Sequence, residues 1–448
     1  MQHMQPARRI LMIVSDQHRA DCLGAYGNPA IQTPNLDRLA EQGIRFDSAY
    51  CPIPTCCPTR QSMLSGMRPE SFGGLWNYDI GLKIPALEPC TDTWTKMLKE
   101  EGYRMGYAGK WHVNPNHDPL EYGFDTYFPG SSFLQTKEHA LNGNLSLYLG
   151  ETDPLPLEET HTHCLAKKAA DMIQKYESEG RPWHIRLDFN EPHLPCRPAK
   201  PFSRMYSSSG IPVWGSLGED FRNKPYIQHQ QLYNWGVQDF TWEDWAPVVA
   251  RYYGIISQMD DANGHVLKTL KKLGIEEDTL VIYTSDHGDM CGAHRMIDKH
   301  YVLYEDVTRV PLILRWPAVL GRAARVEHNF VCNALDIAAT MYAMFGREFS
   351  RLHGLPLPLP ASGTSPEMDL PAPVFREYII STYNGQQFGL YTSRMIRTRR
   401  WKYIWNTTDI DELYDLEQDP HELDNRIRSR DTKGIVEELR YLLYNELS

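Results

Sequence analysis

The sequence lacks three features that would assign it to other classes of protein. In its 448 residues, no apolar run is long enough to span a bilayer, which argues against an integral membrane protein. Basic residues are not in excess, because 46 Lys and Arg stand against 57 Asp and Glu, and the net charge of -11 argues against a general nucleic-acid binder. The nine cysteines are odd in number and irregularly spaced, which argues against a disulfide framework.

The first apolar stretch superficially imitates a secretion signal. Basic residues precede residues 10–14, but the stretch is short, and Asp16 follows it without a small-residue cleavage site. We therefore interpret it as a first buried strand. The expected location is cytoplasmic, or periplasmic or secreted if a leader has been removed.

Strand-like and helix-like segments alternate along the chain. The pattern predicts strands at 10–14, 184–189 and 279–284, and helices at 34–42, 58–66, 93–101, 245–273 and 436–445. Such alternation indicates an α/β fold with a large, mostly parallel sheet sandwiched by helices.

The length of the chain predicts a large domain accompanied by a smaller one. Residues 352–373 are rich in proline, which indicates a linker or an excursion over the surface. We therefore expect a large catalytic domain at 1–351 and a small C-terminal α+β subdomain at 374–448.

Two polar pairs directly follow predicted strands: Asp16-Gln17 and Asp286-His287. In open α/β sheets, ligands bind outside the carboxyl ends of the strands, so these pairs are predicted to converge. Three oxygen donors and one nitrogen suit a divalent cation, with Ca²⁺ or Mg²⁺ favoured by the oxygens and Mn²⁺ or Zn²⁺ admitted by the imidazole. Taken singly, each aspartate is also typical of a residue that caps a turn.

A cysteine-rich segment lies between the two pairs. Cys51, Cys56 and Cys57 fall within ten residues that end at Arg60, and the adjacent pair is poorly spaced for a zinc site. Because Pro58 is predicted to open a helix, Cys56 is expected near an N-terminus that favours an anion. Its side chain is then a candidate activated thiolate beside Arg60.

These motifs together resemble the formylglycine-dependent sulfatases, the type I sulfatases of the alkaline-phosphatase-like superfamily. Cys56-x-Pro58-x-Arg60 matches the Cys-x-Pro-x-Arg signature of that family. Further elements match in the family order: Asp16-Gln17, Gly109-Lys110-Trp111-His112, Pro192-His193-Leu194-Pro195, Asp286-His287-Gly288 with Lys299, and Trp401-Lys402-Tyr403 with Leu413-Tyr414-Asp415-Leu416. Several elements in order are more specific than any single motif.

Three positions depart from the commonest family pattern. Thr59 stands where serine is usual, Gln17 replaces a commoner aspartate, and His287 replaces an asparagine. Glutamine and histidine also occur at these two places in the family, among bacterial sulfatases and phosphonate monoester hydrolases. The departures leave the identity of the metal open, with Ca²⁺ expected first and Mn²⁺, Mg²⁺ or Zn²⁺ as alternatives.

The resemblance implies a role for each matched side chain. A maturation enzyme would oxidise Cys56 to formylglycine, whose hydrate is the nucleophile and a metal ligand. The other implied roles are metal binding by Asp16, Gln17, Asp286 and His287, stabilisation of the ionised diol by Arg60, sulfate binding by Lys110 and Lys299, diol contact by His112, and protonation of the leaving alcohol by His193.

Three functions are compatible with this sequence. The first is a sulfuric ester hydrolase that acts on a sulfated carbohydrate, with aryl and choline-like sulfates as rival substrates. The second is a phosphonate monoester or phosphodiester hydrolase, and the third is an inactive binding homologue. The complete ligand and nucleophile set argues against the third, and the pair Lys110 and His112 favours the sulfatase over the phosphonate hydrolase.

Overall fold

The computed structural model describes residues 6–78, 84–130, 145–359, 375–385 and 389–447, and its main feature is an eight-stranded sheet. In chain order the strands are β1 (Arg9–Asp16), β2 (Ile44–Phe46), β3 (Ala49–Tyr50), β4 (Arg104–Gly109), β5 (Thr126–Pro129), β6 (Trp183–Pro192), β7 (Thr279–Ser285), β8 (Leu312–Arg315), β9 (Arg325–Glu327), β10 (Val331–Cys332), β11 (Ile379–Asn384), β12 (Thr392–Arg397), β13 (Trp401–Asn406) and β14 (Glu412–Asp415). The large sheet has the order β5-β4-β6-β1-β7-β8-β2-β9, and within it β8 alone runs antiparallel to its neighbours. The predicted α/β fold with a mostly parallel sheet is confirmed.

Helices cover both faces of this sheet. The helices of the described residues are α1 (Pro34–Glu41), α2 (Cys56–Ser65), α3 (Trp94–Glu100), α4 (Leu145–Tyr148), α5 (His161–Ser178), α6 (Tyr226–Trp235), α7 (Trp242–Lys272), α8 (Glu305–Thr308), α9 (Pro317–Leu320), α10 (Asn333–Met344) and α11 (Lys433–Leu447). Within the described residues, none of these helices combines the length and the apolar character needed to cross a bilayer.

The central strand β1 explains the three-layer arrangement. Its side chains at 10, 12 and 14 join a core that includes residues of α2, α3 and α10, and those at 11 and 13 join a core built with α1, α5 and α7. Successive side chains of a strand point to opposite faces of the sheet. An uninterrupted apolar strand is therefore buried on both sides, as in other parallel sheets.

A second, antiparallel sheet of order β11-β12-β13-β14 forms most of the described C-terminal part. Helix α11 packs on it through Val436, Leu439 and Leu443. The sheet also contacts the cysteine-rich segment, because Thr382 N–H donates to the carbonyl of Pro52 at 2.9 Å. Residues 352–359 run along α10, residues 360–373 lie outside the described residues, and the division at 351 and 374 stays a prediction.

Three helices begin earlier than the sequence predicts, and one of them, α11, begins at Lys433 rather than 436. Helix α2 starts at Cys56 rather than near Pro58, so that Cys56 occupies its first turn. Helix α7 starts at Trp242 rather than 245, because Thr241 and Asp244 form a reciprocal capping box in front of the apolar pattern.

The pH dependence of stability is expected to include a contribution from His184, which is fully buried on β6 beside Trp94. Burial lowers the pKa of His184 to about 3, so the folded protein keeps this ring neutral. Below about pH 6.5 the unfolded chain binds a proton there and the folded chain does not, so stability falls as the pH falls from 6.5 towards 3. Urea unfolding at about pH 7.5 and 5.5 should show that His184→Leu reduces this loss by about 1.4 kcal/mol.

The exposed His328 supplies the control for this prediction. His328→Gln should keep the pH dependence of the wild type. An identical loss of stability in His184→Leu and the wild type would contradict the prediction.

Candidate active site

The two polar pairs meet at the carboxyl edge of the large sheet. Strands β1 and β7 are parallel neighbours with Ser15 opposite Ser285, so Asp16 and Asp286 follow at adjacent strand ends. The two segments are tied together directly, because Gln17 N–H donates to Asp286 Oδ1 at 3.1 Å. The sequence prediction that these pairs converge is therefore realised in the fold.

Four buried side chains form a compact donor group at this edge. Asp16, Cys56, Asp286 and His287 each offer one atom, and these atoms all lie within 4.8 Å of one another. Cys56 Sγ is 3.1 Å from His287 Nε2 and 3.7 Å from Asp16 Oδ1, while His287 Nε2 is 3.7 Å from Asp286 Oδ1. A cation with ligand bonds of about 2.0–2.6 Å holds neighbouring ligands roughly 3–4 Å apart, so the group fits a divalent metal.

The tautomer of His287 supports that fit. Its Nδ1 is 2.9 Å from the carbonyl of Gly288, which can only accept, so Nδ1 carries a proton. In the neutral ring, Nε2 then presents a lone pair to the donor group, as a metal ligand requires.

Cys56 lies in the first turn of α2, a helix whose residues are all buried. The N-terminus is held by Asn77, whose Oδ1 accepts the N–H of Cys57 at 2.9 Å. Asn77 therefore caps this helix.

The surroundings of Cys56 favour negative charge. Burial by itself would raise the pKa of the thiol, but Lys110, Lys299 and His287 outweigh this effect, together with a hydrogen bond from His112. The net result is a pKa well below the usual range for cysteine. Any anionic side chain at position 56 is stabilised by the ammonium groups of Lys110 and Lys299, even when His287 is the neutral ring that a metal requires.

Arg60, one turn further along α2, holds three carboxylates in place. Its guanidinium contacts Asp286 at 2.9 Å, Asp188 at 2.7 Å and Asp16 at 3.4 Å, and all four side chains are fully buried. These contacts orient the two predicted metal-binding carboxylates. These contacts give Arg60 a positioning role, and its implied stabilisation of the ionised diol stays a prediction.

Lys110 reaches the donor group from the end of β4, where its ammonium pairs with Asp16 Oδ2. The approach depends on Gly109, which has a φ of 113°, and a Cβ there would clash with the carbonyl of Asp188. That carbonyl accepts the N–H of Lys110 at 2.9 Å. Glycine before Lys110 thus brings the lysine to the strand end.

Lys299 joins two predicted site residues. Its Nζ lies 2.6 Å from Gln17 Oε1 and 3.0 Å from His193 Nε2. His193 Nδ1 is 2.5 Å from the carbonyl of Leu194, so Nδ1 carries a proton and Nε2 accepts from the ammonium of Lys299. The backbone of Gln17 has an unusual left-handed conformation, with a φ of 68°.

His112 completes the predicted set on the solvent side of the site. It is partly exposed, its φ is 47°, and its ring contacts the edge of Tyr78 with ring centroids 4.9 Å apart. Left-handed backbone at His112 and at Gln17 fits the tendency of strained residues to cluster at functional sites.

Three further acidic residues belong to the site and were not singled out from the sequence. Asp188 accepts from Arg60 and from the hydroxyl of Tyr107, and both Asp289 and Asp298 accept from Gln17 Nε2. Asp188 carries a weak sequence signal, since an acid in the middle of a buried strand needs a partner. Asp298 adjoins Lys299 in a run of charged residues, which by itself is typical of a solvated loop.

A buried acid, imidazole and thiol group at the carboxyl edge of a mostly parallel sheet can hold a metal ion beside a nucleophile, which is the arrangement that a metal-dependent hydrolase needs. The sulfatase family profile matches residues 8–347, and the profile for the C-terminal part of N-sulphoglucosamine sulphohydrolase matches residues 292–447. The first match covers more than half of the chain, so the chain belongs to the sulfatase family and is a sulfatase enzyme.

Individual relatives agree with this assignment. The "Uncharacterized sulfatase YidJ" of Escherichia coli strain K12 is 29% identical over 430 residues, which cover 93% of this chain and 82% of YidJ. The phosphonate monoester hydrolase of Agrobacterium radiobacter has a TM-score of 0.82 at 24% identity, covering 98% of this chain and 95% of its own. BT4656, solved with its substrate D-glucosamine-2-N,6-O-disulfate, has a TM-score of 0.79 at 22% identity, and the match covers 99% of this chain and 97% of BT4656. At these identities the two solved structures establish the fold.

Proposed function

We propose that this sulfatase releases inorganic sulfate from a sulfated carbohydrate, with a formylglycine made from Cys56 as its nucleophile. The observation that carries the proposal is the position of Cys56 Sγ, which lies inside the donor group and 3.1 Å from His287 Nε2. Cys56 Sγ stands in for the hydroxyl oxygen of the formylglycine hydrate. Because Cys56 is only 1% exposed, a maturation enzyme would have to oxidise it before the chain folds.

The donor group has the chemistry of a divalent metal site. Asp16, Gln17, Asp286, His287 and the modified side chain at position 56 would hold the ion, with Ca²⁺ proposed first and Mn²⁺, Mg²⁺ or Zn²⁺ as alternatives. When bound, the metal supplies Lewis-acid polarisation of the sulfate group.

The formylglycine hydrate supplies two hydroxyls, one that attacks sulfur with expulsion of the alcohol and one that later loses a proton, re-forms the aldehyde and expels sulfate. Lys110 and Lys299 place two ammonium groups beside position 56, where they neutralise charge on the sulfate oxygens. His112 lies within hydrogen-bond reach of position 56 and is suited to take the proton during release of sulfate.

His193 is proposed as the general acid for the leaving alcohol. Its Nδ1–H stays bound to the carbonyl of Leu194, so the proton for the substrate must travel on Nε2. In the resting site Nε2 accepts from the ammonium of Lys299 at 3.0 Å, so this contact must open when Nε2 takes up the proton that it later gives to the alcohol. A donated proton matters most when the leaving alcohol is a poor leaving group.

Replacement of His193 should therefore discriminate between substrates. In His193→Ala we expect kcat to fall by about 10²–10⁴-fold with a sugar sulfate and by less than about 10-fold with nitrophenyl sulfate. Parallel steady-state assays of the two substrates measure the difference. Equal losses on both substrates would rule out a general-acid role.

Metal removal supplies a separate prediction. Dialysis against a chelator should abolish sulfate release, because the proposed metal polarises the sulfate group and its ligands Asp16, Asp286 and His287 then no longer hold it. Addition of Ca²⁺ should restore activity, and parallel additions of Mn²⁺, Mg²⁺ and Zn²⁺ rank the alternatives. Full activity in protein that elemental analysis finds free of metal would contradict the proposal.

The carbohydrate class of the substrate draws support from BT4656, which was solved with a disulfated glucosamine as its substrate. The test is a panel of sulfated mono- and disaccharides, aryl and choline sulfates, and phosphonate and phosphodiester esters, with assay of released sulfate or phosphate. Sulfate release from a sugar supports the proposal. Phosphonate turnover without sulfate release would instead favour the activity of the Agrobacterium radiobacter relative, and no turnover of any ester would favour a binding role.

A further inference from the structure

A second group of metal-binding side chains lies between two long helices, outside the site described above. It consists of His163 on α5 with Asp261 and His265 on α7, and one donor atom from each lies within 4.8 Å of the others. Asp261 Oδ2 is 3.0 Å from His163 Nε2 and 3.6 Å from His265 Nε2. Asp261 and His265 are four residues apart and therefore share one face of α7.

The hydrogen bonds around His163 leave a place for a cation. The hydroxyl of Thr160 donates to the carbonyl of Leu157 at 2.6 Å, so its single proton is already used. His163 Nδ1 lies 3.1 Å from the Thr160 hydroxyl oxygen. Because that hydroxyl has no second proton, Nδ1 must be the donor of this hydrogen bond. In the neutral ring, Nε2 is unprotonated and faces a carboxylate oxygen of Asp261 at 3.0 Å. Two acceptors at this distance require a proton or a metal ion between them.

The spacing and the chemistry of the group point to zinc. Tetrahedral zinc with bonds of about 2.0–2.1 Å holds neighbouring ligand atoms roughly 3.3 Å apart, which the two measured separations bracket. Two imidazoles and one carboxylate are ligands that Zn²⁺ accepts, with the fourth position left to water. His163 is 8% exposed and His265 59% exposed, so the site has a buried anchor and an open side.

We propose that His163, Asp261 and His265 bind a zinc ion that links α5 to α7. The link lies near the start of α5, where His161 Nδ1 is 3.7 Å from Glu191, two residues before His193. Helix α7 contacts the same region, since Gln258 accepts the N–H of Ala199 at 2.7 Å. The zinc site therefore stabilises the packing of the helices that flank the segment carrying His193.

The test uses the full chain with its active site saturated with Ca²⁺. Zinc is then added, excess is removed by gel filtration, and bound zinc per chain is measured by elemental analysis. The wild type is expected to retain one zinc ion per chain more than His265→Ala. Zinc should also raise the thermal midpoint of the wild type and leave that of His265→Ala unchanged.

The matched control is His328→Ala. His328 is 70% exposed and lies 3.4 Å from Asp47, so it reproduces one histidine beside one carboxylate at the surface. This variant should bind zinc as the wild type does. If His265→Ala fails to fold by circular dichroism, Asp261→Asn takes its place.

Two results would overturn the zinc site. Equal zinc content in the wild type and in His265→Ala would place the metal elsewhere. No zinc retained by the wild type would identify His163 and Asp261 as a simple ion pair. Neither result depends on sulfatase activity, so the proposed function is tested separately.

Discussion

Replacing Cys56 with alanine is expected to lower kcat/KM for sulfate-ester hydrolysis by about 10⁴–10⁶-fold, because the proposed covalent nucleophile is lost. The other side chains proposed to bind sulfate and metal remain in Cys56→Ala, so substrate binding should weaken far less than turnover. Assays with a nitrophenyl sulfate, together with a binding measurement, separate the two effects. Mass analysis of the wild-type peptide that contains residue 56 should find an aldehyde in place of the thiol.

Cys57 is the matched control for this substitution, since it is the next residue of the same buried helix. Its Sγ accepts from Gln61 Nε2 at 2.9 Å and donates to the carbonyl of Val113 at 3.6 Å, so it serves packing within the helix environment. Cys57→Ala should cost stability and, per folded molecule, retain kcat/KM within about 10-fold. An active wild type whose Cys56 is entirely unmodified would contradict the formylglycine proposal.

Replacing Arg60 with alanine is expected to destabilise the folded protein by about 3–5 kcal/mol, because it leaves buried carboxylates without their shared cation. Asp16, Asp188 and Asp286 all lie within 3.4 Å of the guanidinium and are fully buried. Burial by itself lowers the pKa of Arg60, but the three carboxylates outweigh it and raise the pKa well above the usual value. Urea unfolding of metal-loaded protein measures the loss.

Two variants define the controls for this prediction. Arg322→Ala removes an exposed arginine that pairs with Glu277, and its expected effect is below about 1 kcal/mol. Arg60→Lys keeps the charge but not the fork that reaches three carboxylates, so its stability should fall between those of Arg60→Ala and the wild type. An unfolding midpoint for Arg60→Ala equal to that of the wild type would refute the role of Arg60.

Strands were predictable wherever a fully apolar run was bounded by polar residues. The segments at 10–14 and 279–284 read as buried strands, and they pair in parallel as β1 and β7. Their ends carry Asp16 and Asp286, so the convergence of two distant pairs followed from the rule that ligands collect at the carboxyl edge. Helix starts were less certain, because a capping interaction such as Thr241 with Asp244 extends a helix beyond its apolar pattern.

The sequence predicted which residues belong to the site better than it predicted which of their side chains contact each other. Lys299 and Gln17 are 282 positions apart in the chain, yet their side chains are 2.6 Å apart. Asp188 went unnoticed because its strand reads as core, and its need for Arg60 becomes visible only when both are buried together. Neither contact leaves a periodic pattern in the sequence.

The sequence by itself determined the family and the α/β fold and indicated Cys56 as the proposed nucleophile, because motifs such as Cys56-x-Pro58-x-Arg60 and apolar strand patterns are local in the chain. The tertiary structure decided which charges act together. It placed Arg60 among three carboxylates, set the positive surroundings of Cys56, and brought His163 to Asp261 between two helices. These properties depend on distance and burial, since charges interact strongly only when they are close and removed from water.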